Sequence, residues 1–213
     1  MLDHGAMTGA QSASAAVGVV LAGGAGSRLD GAKAAAKLGG RPLVSYPVNA
    51  FRAAGLRVVV VAKPDSRLGG IDCEVLLEPA VPTHPLVGLL AAIEAFAPAP
   101  IVVCACDMPF VPATILVHLA RLREPLVVAA PGGRLQPLLG RYEPSLEPGL
   151  ARSLDGLEPL TAAVSALGAR LIGDEELARF GDPSMIAVNV NTAAELATAE
   201  RTLGGEPEDP AVS

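Results

Sequence analysis

A glycine-rich segment near the start of the chain contains two cationic side chains. Residues 17–33 read VGVVLAGGAGSRLDGAK, with Arg28 and Lys33 after the first glycines. Glycines leave successive backbone N–H groups free to point at an anion, because no Cβ atom obstructs it. The apolar residues before them are typical of a parallel strand buried on both faces. The segment therefore predicts a phosphate-binding loop at a strand end, with a plain strand-to-helix turn as the alternative.

The spacing of the glycines excludes the two best-known nucleotide-binding loops. The dinucleotide fingerprint G-x-G-x-x-G needs a glycine where Leu29 stands. The Walker A loop G-x-x-x-x-G-K-[ST] needs lysine directly after its second glycine, but Ala32 separates Gly31 from Lys33. Ala34, which follows the lysine, has no hydroxyl group for a metal. The segment is therefore either a phosphate-binding loop of another class or the plain turn.

Asp107 is the second candidate for chemistry. It follows the apolar run 101–105, and Pro109 stiffens the chain just beyond it. A carboxylate held at a strand end is a hard oxygen ligand suited to Mg²⁺ bound to nucleotide phosphates. The alternative is that Asp107 caps a helix starting near Val111. We expect the metal-binding role.

Paired amides form the third candidate. Asn189 and Asn191 alternate with Val188 and Val190, which predicts a strand end with both amides on one face. Such amides could bind Mg²⁺, a pterin or a phosphate. Asparagine is also common in turns for purely structural reasons, so this alternative stays open.

Composition excludes several classes of protein. The chain of 213 residues is 51% hydrophobic and 18% charged, which is typical of a folded domain. Aromatic residues make up only 3%, and the net charge is −6, so we expect no nucleic-acid binding. No apolar run approaches the roughly 18 residues of a membrane span. Three cysteines without C-x-x-C spacing predict reduced thiols and a cytoplasmic protein.

Strands and helices are predicted to alternate along the chain. The pattern favours an α/β fold: a three-layer α/β/α sandwich, Rossmann-like, with a mostly parallel mixed sheet. We expect a domain over 17–203, between a flexible leader (1–16) and a disordered tail (204–213). The predicted strands are 17–21, 57–62, 73–77, 101–105, 126–130, 135–142, 170–172 and 186–190. The predicted helices start at Pro42, Leu86 and Ala113, after Pro144 and Leu157, and at Thr192, where Glu195 completes a capping box.

Five motifs in order resemble those of the molybdenum cofactor guanylyltransferase family, which are GT-A-like nucleotidyltransferases. Segment 21–33, LAGGAGSRLDGAK, is similar to the family's L-A-G-G-x-S-x-R-M-G-x-D-K and has the same length. Residues 39–43 resemble G-G-K-P-L, and residues 85–89 resemble P-L-x-G-L. Residues 106–110 match C-D-x-P-[FY], and residues 188–192 match N-[IV]-N-T. The resemblance spans Val17 to about Leu196.

The resemblance implies a function and a set of site residues. Relatives transfer GMP from GTP to molybdopterin with Mg²⁺ and release pyrophosphate. The implied catalytic residues are Arg28, Lys33 and Asp107, and Asp107 also binds Mg²⁺. The implied nucleotide-binding residues are Leu21, Ala22, Gly23, Gly24, Arg28, Lys33, Gly88 and Asp107. The implied acceptor-binding residues are Asn189, Asn191 and Gln136. Transient contact with proteins that deliver or accept the cofactor is also implied, and no membrane is involved.

The chain departs from the family pattern around the nucleotide. Ala32 replaces the aspartate expected before the lysine, and a carboxylate appears instead at Asp30. Val61 aligns with a base-contacting asparagine, and Pro79 replaces an aspartate. Nearby His84 could contact a base or be an ordinary loop histidine. Two alternatives therefore stay open: a cytidylyltransferase for molybdopterin or another small phosphate acceptor, and a nucleotide-binding homologue with weakened catalysis.

Overall fold

A mixed sheet forms the centre of the protein. The structure is a computed structural model that describes residues 15–23 and 33–204. In these ranges one sheet contains seven strands in the order β5-β4-β1-β6-β8-β7-β9. The strands are β1 (Val17–Leu21), β4 (Val58–Ala62), β5 (Glu74–Leu77), β6 (Ile101–Ala105), β7 (Leu126–Ala129), β8 (Gln136–Tyr142) and β9 (Arg170–Ile172). Strands β2 (Lys37–Leu38) and β3 (Arg41–Pro42) form a separate antiparallel hairpin.

Helices cover both faces of the sheet. They are α1 (Ser45–Ala53), α2 (Pro85–Phe96), α3 (Ala113–Arg121), α4 (Glu147–Asp155), α5 (Leu160–Ala166), α6 (Asp174–Leu177), α7 (Pro183–Ile186) and α8 (Ala193–Gly204). Apolar residues of α1 and α3 pack with one face of the sheet. Those of α2, α4 and α5 pack with the other. This arrangement confirms the predicted three-layer α/β/α fold.

Alternation along the buried strands explains why both layers form. In β1, Val20 joins the core on the α1 and α3 side, whereas Val19 and Leu21 join the core on the α2 side. All five residues of β1 are buried, as the continuous apolar run predicted. The strand therefore stabilises both layers at once, and its carboxyl end is fixed where the glycine-rich segment begins.

Strand β8 makes the sheet mixed. It runs antiparallel to both of its neighbours, β6 and β7, whereas β1 is parallel to β4 and β6. The first residues of β8 consequently lie at the edge where the parallel strands end. Gln136 reaches the same edge as Asp107 for this reason.

Two of the predicted elements are wrong. Pro42 does not begin a helix but pairs in β3, and α1 begins at Ser45. Gly39 and Gly40 both have positive φ, 53° and 78°, and form a two-residue hairpin turn that only glycine-like residues favour. The predicted strand 186–190 is absent from the sheet.

The reason for the second error lies just upstream of the predicted strand. Asp182 accepts a hydrogen bond from Ser184 N, 2.9 Å, and Pro183 occupies the first turn, so the chain forms α7 instead. Val190 N then donates to Asp107 O at 2.9 Å, which ties the segment after α7 to the edge of the sheet. The capping box predicted at Thr192 and Glu195 is confirmed.

Candidate active site

The segments that leave β1, β4 and β6 meet at one edge of the sheet. Cys106 N donates to Leu21 O at 3.1 Å, and Ala22 N donates to Val61 O at 2.8 Å. These bonds continue the sheet pairing past the strand ends and place Gly23 beside Asp107 on one cavity. In open α/β sheets, ligands usually bind outside the carboxyl ends of the strands, which is where the strand ends before Gly23 and Asp107 lie.

The cavity has a volume of about 620 Å³ and two chemically distinct walls. We call the first the glycine wall; it consists of Gly23, Glu78, His84 and Gly88. We call the second the apolar wall; it consists of Leu135, Pro137, Leu138, Pro159 and Leu160. Lys33, Asp107, Gln136 and Asn189 also line the cavity. A ligand in this space would contact backbone and charge on one side and apolar surface on the other.

Asp107 and Lys33 form an ion pair in the cavity. Lys33 Nζ contacts Asp107 Oδ2, with 19% and 9% of the two side chains exposed. Lys33 Nζ also donates to Asn191 Oδ1 at 2.5 Å. Asp107 Oδ1 is buried and accepts no hydrogen bond from the described residues. The alternative that Asp107 caps a helix is wrong, because α3 begins only at Ala113 and Pro112 occupies its N-cap.

Glu78 is a second buried carboxylate and was not among the predicted site residues. Only 6% of the residue is exposed, and it follows β5 directly. A Cβ atom at Gly23 would lie 1.7 Å from its Oε1, and one at Gly88 would lie 2.4 Å from its Oε2. Both glycines are therefore needed to make room for this carboxylate. The same signal that indicated Asp107, a carboxylate directly after an apolar strand, was available for Glu78.

Lys63 is the partner of Glu78. Its Nζ lies 3.7 Å from Glu78 Oε1 and donates to Pro79 O at 2.9 Å and Ala80 O at 2.8 Å. Burial raises the pKa of the Glu78 carboxyl, and the Lys63 ammonium opposes that shift. Pro79 thus contributes a carbonyl to the ammonium of Lys63. Val61 is buried inside β4.

The side chain of His84 and the backbone of Ala22 each make a hydrogen bond to the protein backbone. The side chain of His84 caps α2, because its Nδ1 accepts a hydrogen bond from Leu86 N at 3.2 Å. Ala22 is buried, and its N–H is used by Val61 O. His84 still lines the cavity, so its ring edge can contact a ligand while it holds the helix.

The remaining predicted residues divide into three groups. Leu21, Gly23, Lys33, Gly88, Asp107, Gln136 and Asn189 all line the cavity. Asn191 faces Lys33, and its amide does not project with that of Asn189, whose Nδ2 donates to Ala187 O at 2.9 Å. Gly24 and Arg28, like Asp30 and Ala32, lie outside the described residues.

Comparison with known proteins shows the family to which the chain belongs. The family model described as the MobA-like NTP transferase domain matches residues 18–167, more than half of the chain. The chain belongs to the MobA-like NTP transferase family. The match includes the glycine wall, Lys33 and Asp107. It confirms the resemblance seen in the motifs and makes the protein a nucleotidyltransferase.

Curated relatives of this NTP transferase cover most of its length. It is 33% identical over 178 residues to a probable molybdenum cofactor guanylyltransferase of Opitutus terrae, covering 82% of this chain and 77% of the relative. It is 27% identical over 179 residues to a probable molybdenum cofactor guanylyltransferase of Carboxydothermus hydrogenoformans, covering 83% and 90%.

Solved structures agree on the fold of the NTP transferase. Molybdopterin-guanine dinucleotide biosynthesis protein A from Archaeoglobus fulgidus superimposes with a TM-score of 0.73 at 24% identity, covering 88% of this chain and 98% of that one. 2-C-methyl-D-erythritol 4-phosphate cytidylyltransferase from Thermus thermophilus gives 0.62 at 22% identity, covering 88% and 98%. The fold is thus shared by nucleotidyltransferases with different bases and acceptors.

Two further observations limit what the described residues can do. They contain no group of three or more His, Cys, Asp or Glu side chains arranged to hold a metal ion. None of their helices is long and apolar enough to cross a bilayer.

The thiol next to Asp107 is not a nucleophile in this NTP transferase. Burial raises the pKa of Cys106 to about 12, and the negative charge of Asp107 adds to the shift. The thiol is thus almost fully protonated at neutral pH, and only a thiolate would attack a phosphorus. Charge in the site is therefore carried by Asp107, Lys33 and the pair of Glu78 with Lys63.

Proposed function

We propose that this nucleotidyltransferase transfers GMP from GTP to molybdopterin and releases pyrophosphate. The observation that carries the proposal is the pairing at the cavity: Asp107 shares one oxygen with Lys33 and leaves the other without a partner among the described residues. The names of the curated relatives support guanine as the base and molybdopterin as the acceptor. The three free cysteines, Cys73, Cys104 and Cys106, support a cytoplasmic setting.

Nucleotidyl transfer requires positioning and charge stabilisation rather than a covalent intermediate. An oxygen of the acceptor phosphate forms a bond to the α-phosphorus of GTP, and the bond from that phosphorus to the departing pyrophosphate breaks. No general base is needed, because a phosphate monoester is largely ionised at neutral pH. Lys33 can hold phosphate oxygens, and Gly23 allows the backbone close to the nucleotide. Arg28 is proposed to face the same phosphates.

The residues present fit Mg²⁺ carried by the nucleotide. Asp107 Oδ1 is a buried carboxylate oxygen that needs a partner, and Asn189 lines the same cavity. Mg²⁺ in such sites keeps phosphate and water ligands and takes only one or two from the protein, so one carboxylate suffices. When bound, the ion would withdraw charge from the phosphates during the transfer. Lys33 would keep its contact with Asp107 Oδ2, because the ion would use Oδ1.

The two walls of the cavity match the two substrates. The glycine wall offers close backbone approach and polar groups, which suit the nucleotide. The apolar wall and Gln136 suit a flat pterin, whose ring packs on proline and leucine and whose edge can accept amide hydrogen bonds. Asn189 would serve the same acceptor. Transient docking of proteins that deliver or accept the cofactor belongs to this proposal.

The decisive experiment is formation of the guanylated product by the purified protein. GTP, molybdopterin and Mg²⁺ are combined, and the product is followed by mass spectrometry, with CTP, ATP and UTP in parallel. The proposal requires product from GTP. Product from CTP alone would establish a cytidylyltransferase, and GTP binding without product from any triphosphate would establish the weakened homologue.

Asp107→Ala tests the proposed role of the carboxylate. We expect turnover to fall by at least about 10³-fold, because a preorganised charge at the reacting phosphates is lost. The melting temperature should show that the variant still folds. Asp155→Asn, an exposed aspartate of α4, is the matched control and should keep full activity. Normal turnover of Asp107→Ala would remove the assignment.

A further inference from the structure

The amide oxygen of Asn191 accepts a hydrogen bond from Lys33. The two residues are 158 positions apart in the chain, and Lys33 Nζ donates to Asn191 Oδ1 at 2.5 Å. The same ammonium contacts Asp107 Oδ2. An ammonium has three donors, so one remains for a ligand after these two contacts. The contact takes one of the two lone pairs of the Asn191 oxygen and turns this oxygen towards the ammonium of Lys33.

The backbone of Asn191 is held by the start of α8. Glu195 Oε2 accepts hydrogen bonds from Asn191 N at 2.7 Å and from Thr192 N at 2.9 Å. Thr192 Oγ1 accepts in return from Glu195 N at 3.2 Å, which completes the capping box. These bonds, with that of Asn191 N first, lower the pKa of Glu195, so its carboxylate is ionised at neutral pH. Glu195 thus holds the backbone from which the Asn191 side chain extends.

The same segment is also fixed to the residue that Lys33 contacts. Val190 N donates to Asp107 O at 2.9 Å, one residue before Asn191. Asn191 and Asp107 are therefore held relative to each other, and the lysine ammonium lies between an amide oxygen and a carboxylate oxygen. A four-carbon side chain has many rotamers, and two fixed acceptors restrict it.

A neutral acceptor has a specific advantage at this position. Asp107 contributes one negative charge and Lys33 one positive charge, so the amide of Asn191 restrains the ammonium without further neutralising it. A second carboxylate there would give the cluster a net negative charge and repel phosphate.

We propose that Asn191 is a positioning residue that holds the Lys33 ammonium for the nucleotide phosphates, and that the Glu195 capping box fixes Asn191 for this task. The proposal rests on the proposed function for the identity of the nucleotide and the acceptor. It replaces acceptor binding as the role of Asn191, whereas Asn189 keeps its place in the cavity wall.

Kinetics separates positioning from acceptor binding. We expect Asn191→Ala to lower kcat by about 10- to 100-fold, as misplacement of a group by about 1 Å does. The KM for the acceptor should be unchanged. Asn191→Asp should weaken GTP binding at least as much as Asn191→Ala does, because it adds a charge. A raised acceptor KM with normal kcat and normal GTP binding in Asn191→Ala would overturn the proposal.

Substitutions of Glu195 test the second half of the proposal. Glu195→Ala should lower kcat in the same direction as Asn191→Ala, and Glu195→Gln should restore much of it, because glutamine also completes a capping box. Glu200→Gln, an exposed position of the same helix, is the matched control and should have wild-type activity. Wild-type kcat in Glu195→Ala would overturn the role of Glu195.

A spectrum of the lysine ammonium groups tests the contact without any substrate. In a ¹H–¹⁵N spectrum of the intact protein, the Lys33 signal, assigned by its loss in Lys33→Arg, should be visible because two acceptors slow its proton exchange. It should disappear in Asn191→Ala and persist in Glu200→Gln. Persistence in Asn191→Ala would overturn the proposal. If guanylation of molybdopterin failed while the signal still depended on Asn191, only the proposed function would be lost.

Discussion

Gly88→Ala is expected to destabilise the protein even though Gly88 lies inside a helix. The added Cβ would lie 2.4 Å from Glu78 Oε2 and 3.1 Å from Leu21 Cδ2. Ordinary contacts of this kind are about 1 Å longer than the first distance. The carboxylate cannot retreat freely, because it is buried and Lys63 lies against it. The side chain that must move is therefore a restrained one.

The magnitude follows from two opposing terms. Overpacking of a buried site costs about 1–3 kcal/mol, and replacing a helical glycine by alanine gains about 1 kcal/mol. The steric term is at its upper end here, so the net loss is about 1–2 kcal/mol. For a chain of this size the melting temperature should fall by about 2–8 °C. GTP binding should weaken too, because Gly88 lines the cavity.

A double-mutant cycle tests whether the destabilisation by Gly88→Ala depends on Glu78. Melting temperatures are measured for wild type, Gly88→Ala, Glu78→Ala and the double variant. In the Glu78→Ala background the alanine at 88 should be neutral or stabilising, since the obstructing carboxylate is gone. Gly156→Ala is the control: its Cβ would meet Glu158 Cγ at 3.4 Å, an ordinary contact. A Gly88→Ala variant as stable as wild type, or an equal loss with and without Glu78, would refute the reasoning.

Two more predictions concern other groups of the chain. Iodoacetamide at pH 8 should modify the partly buried Cys73 of the folded protein, as detected by mass spectrometry. The buried Cys104 and Cys106 should stay protected until denaturant is added, since burial raises the pKa of both thiols. Rapid labelling of Cys106 in the native protein would contradict this. Asp182→Ala should lower the melting temperature at pH 7, because hydrogen bonds from Ser184 lower the pKa of Asp182 and favour its ionised form in the folded state. That contribution is present above the unfolded pKa of about 3.9 and is lost as the pH falls through the lower folded pKa, so the two melting curves should converge in acid; a constant difference at every pH would exclude this cause.

The sequence predicted the features that depend on local pattern. All seven sheet strands were predicted to within one residue at each end. Continuous apolar runs indicated β1, β4, β6 and β7, because a strand buried on both faces has apolar residues throughout. Asp107 was predicted as a site residue because a carboxylate directly after a buried parallel strand lies at the carboxyl edge of the sheet, where ligands bind. The sequence-predicted capping box at Thr192 depends on residues three apart, and it formed as expected.

Features that depend on distant partners were not predictable in the same way. The orientation of β8 is set by its neighbours β6 and β7, and no local signal specifies it. Asn191, one of the two partners of Lys33, lies 158 residues away from it in the chain. Its amide was predicted to face the acceptor substrate and contacts the lysine instead. The requirement for glycine at 23 and 88 comes from Glu78, a third segment of the chain. By contrast, the Gly39 and Gly40 hairpin and the start of α7 at Asp182 had local signals that the hydrophobic pattern outweighed.

The contact between Lys33 and Asp107 has a consequence for which molecules the protein can admit. At rest the cation and the anion of the cavity contact each other, yet each keeps one position for a ligand: Asp107 Oδ1 has no partner among the described residues, and Lys33 keeps its third N–H donor. Under the proposed function, a metal–nucleotide complex would bring a cation to that oxygen and an anion to that donor together. Free phosphate or free metal would use only one of the two positions. We therefore expect the protein to bind the complex more tightly than either component alone.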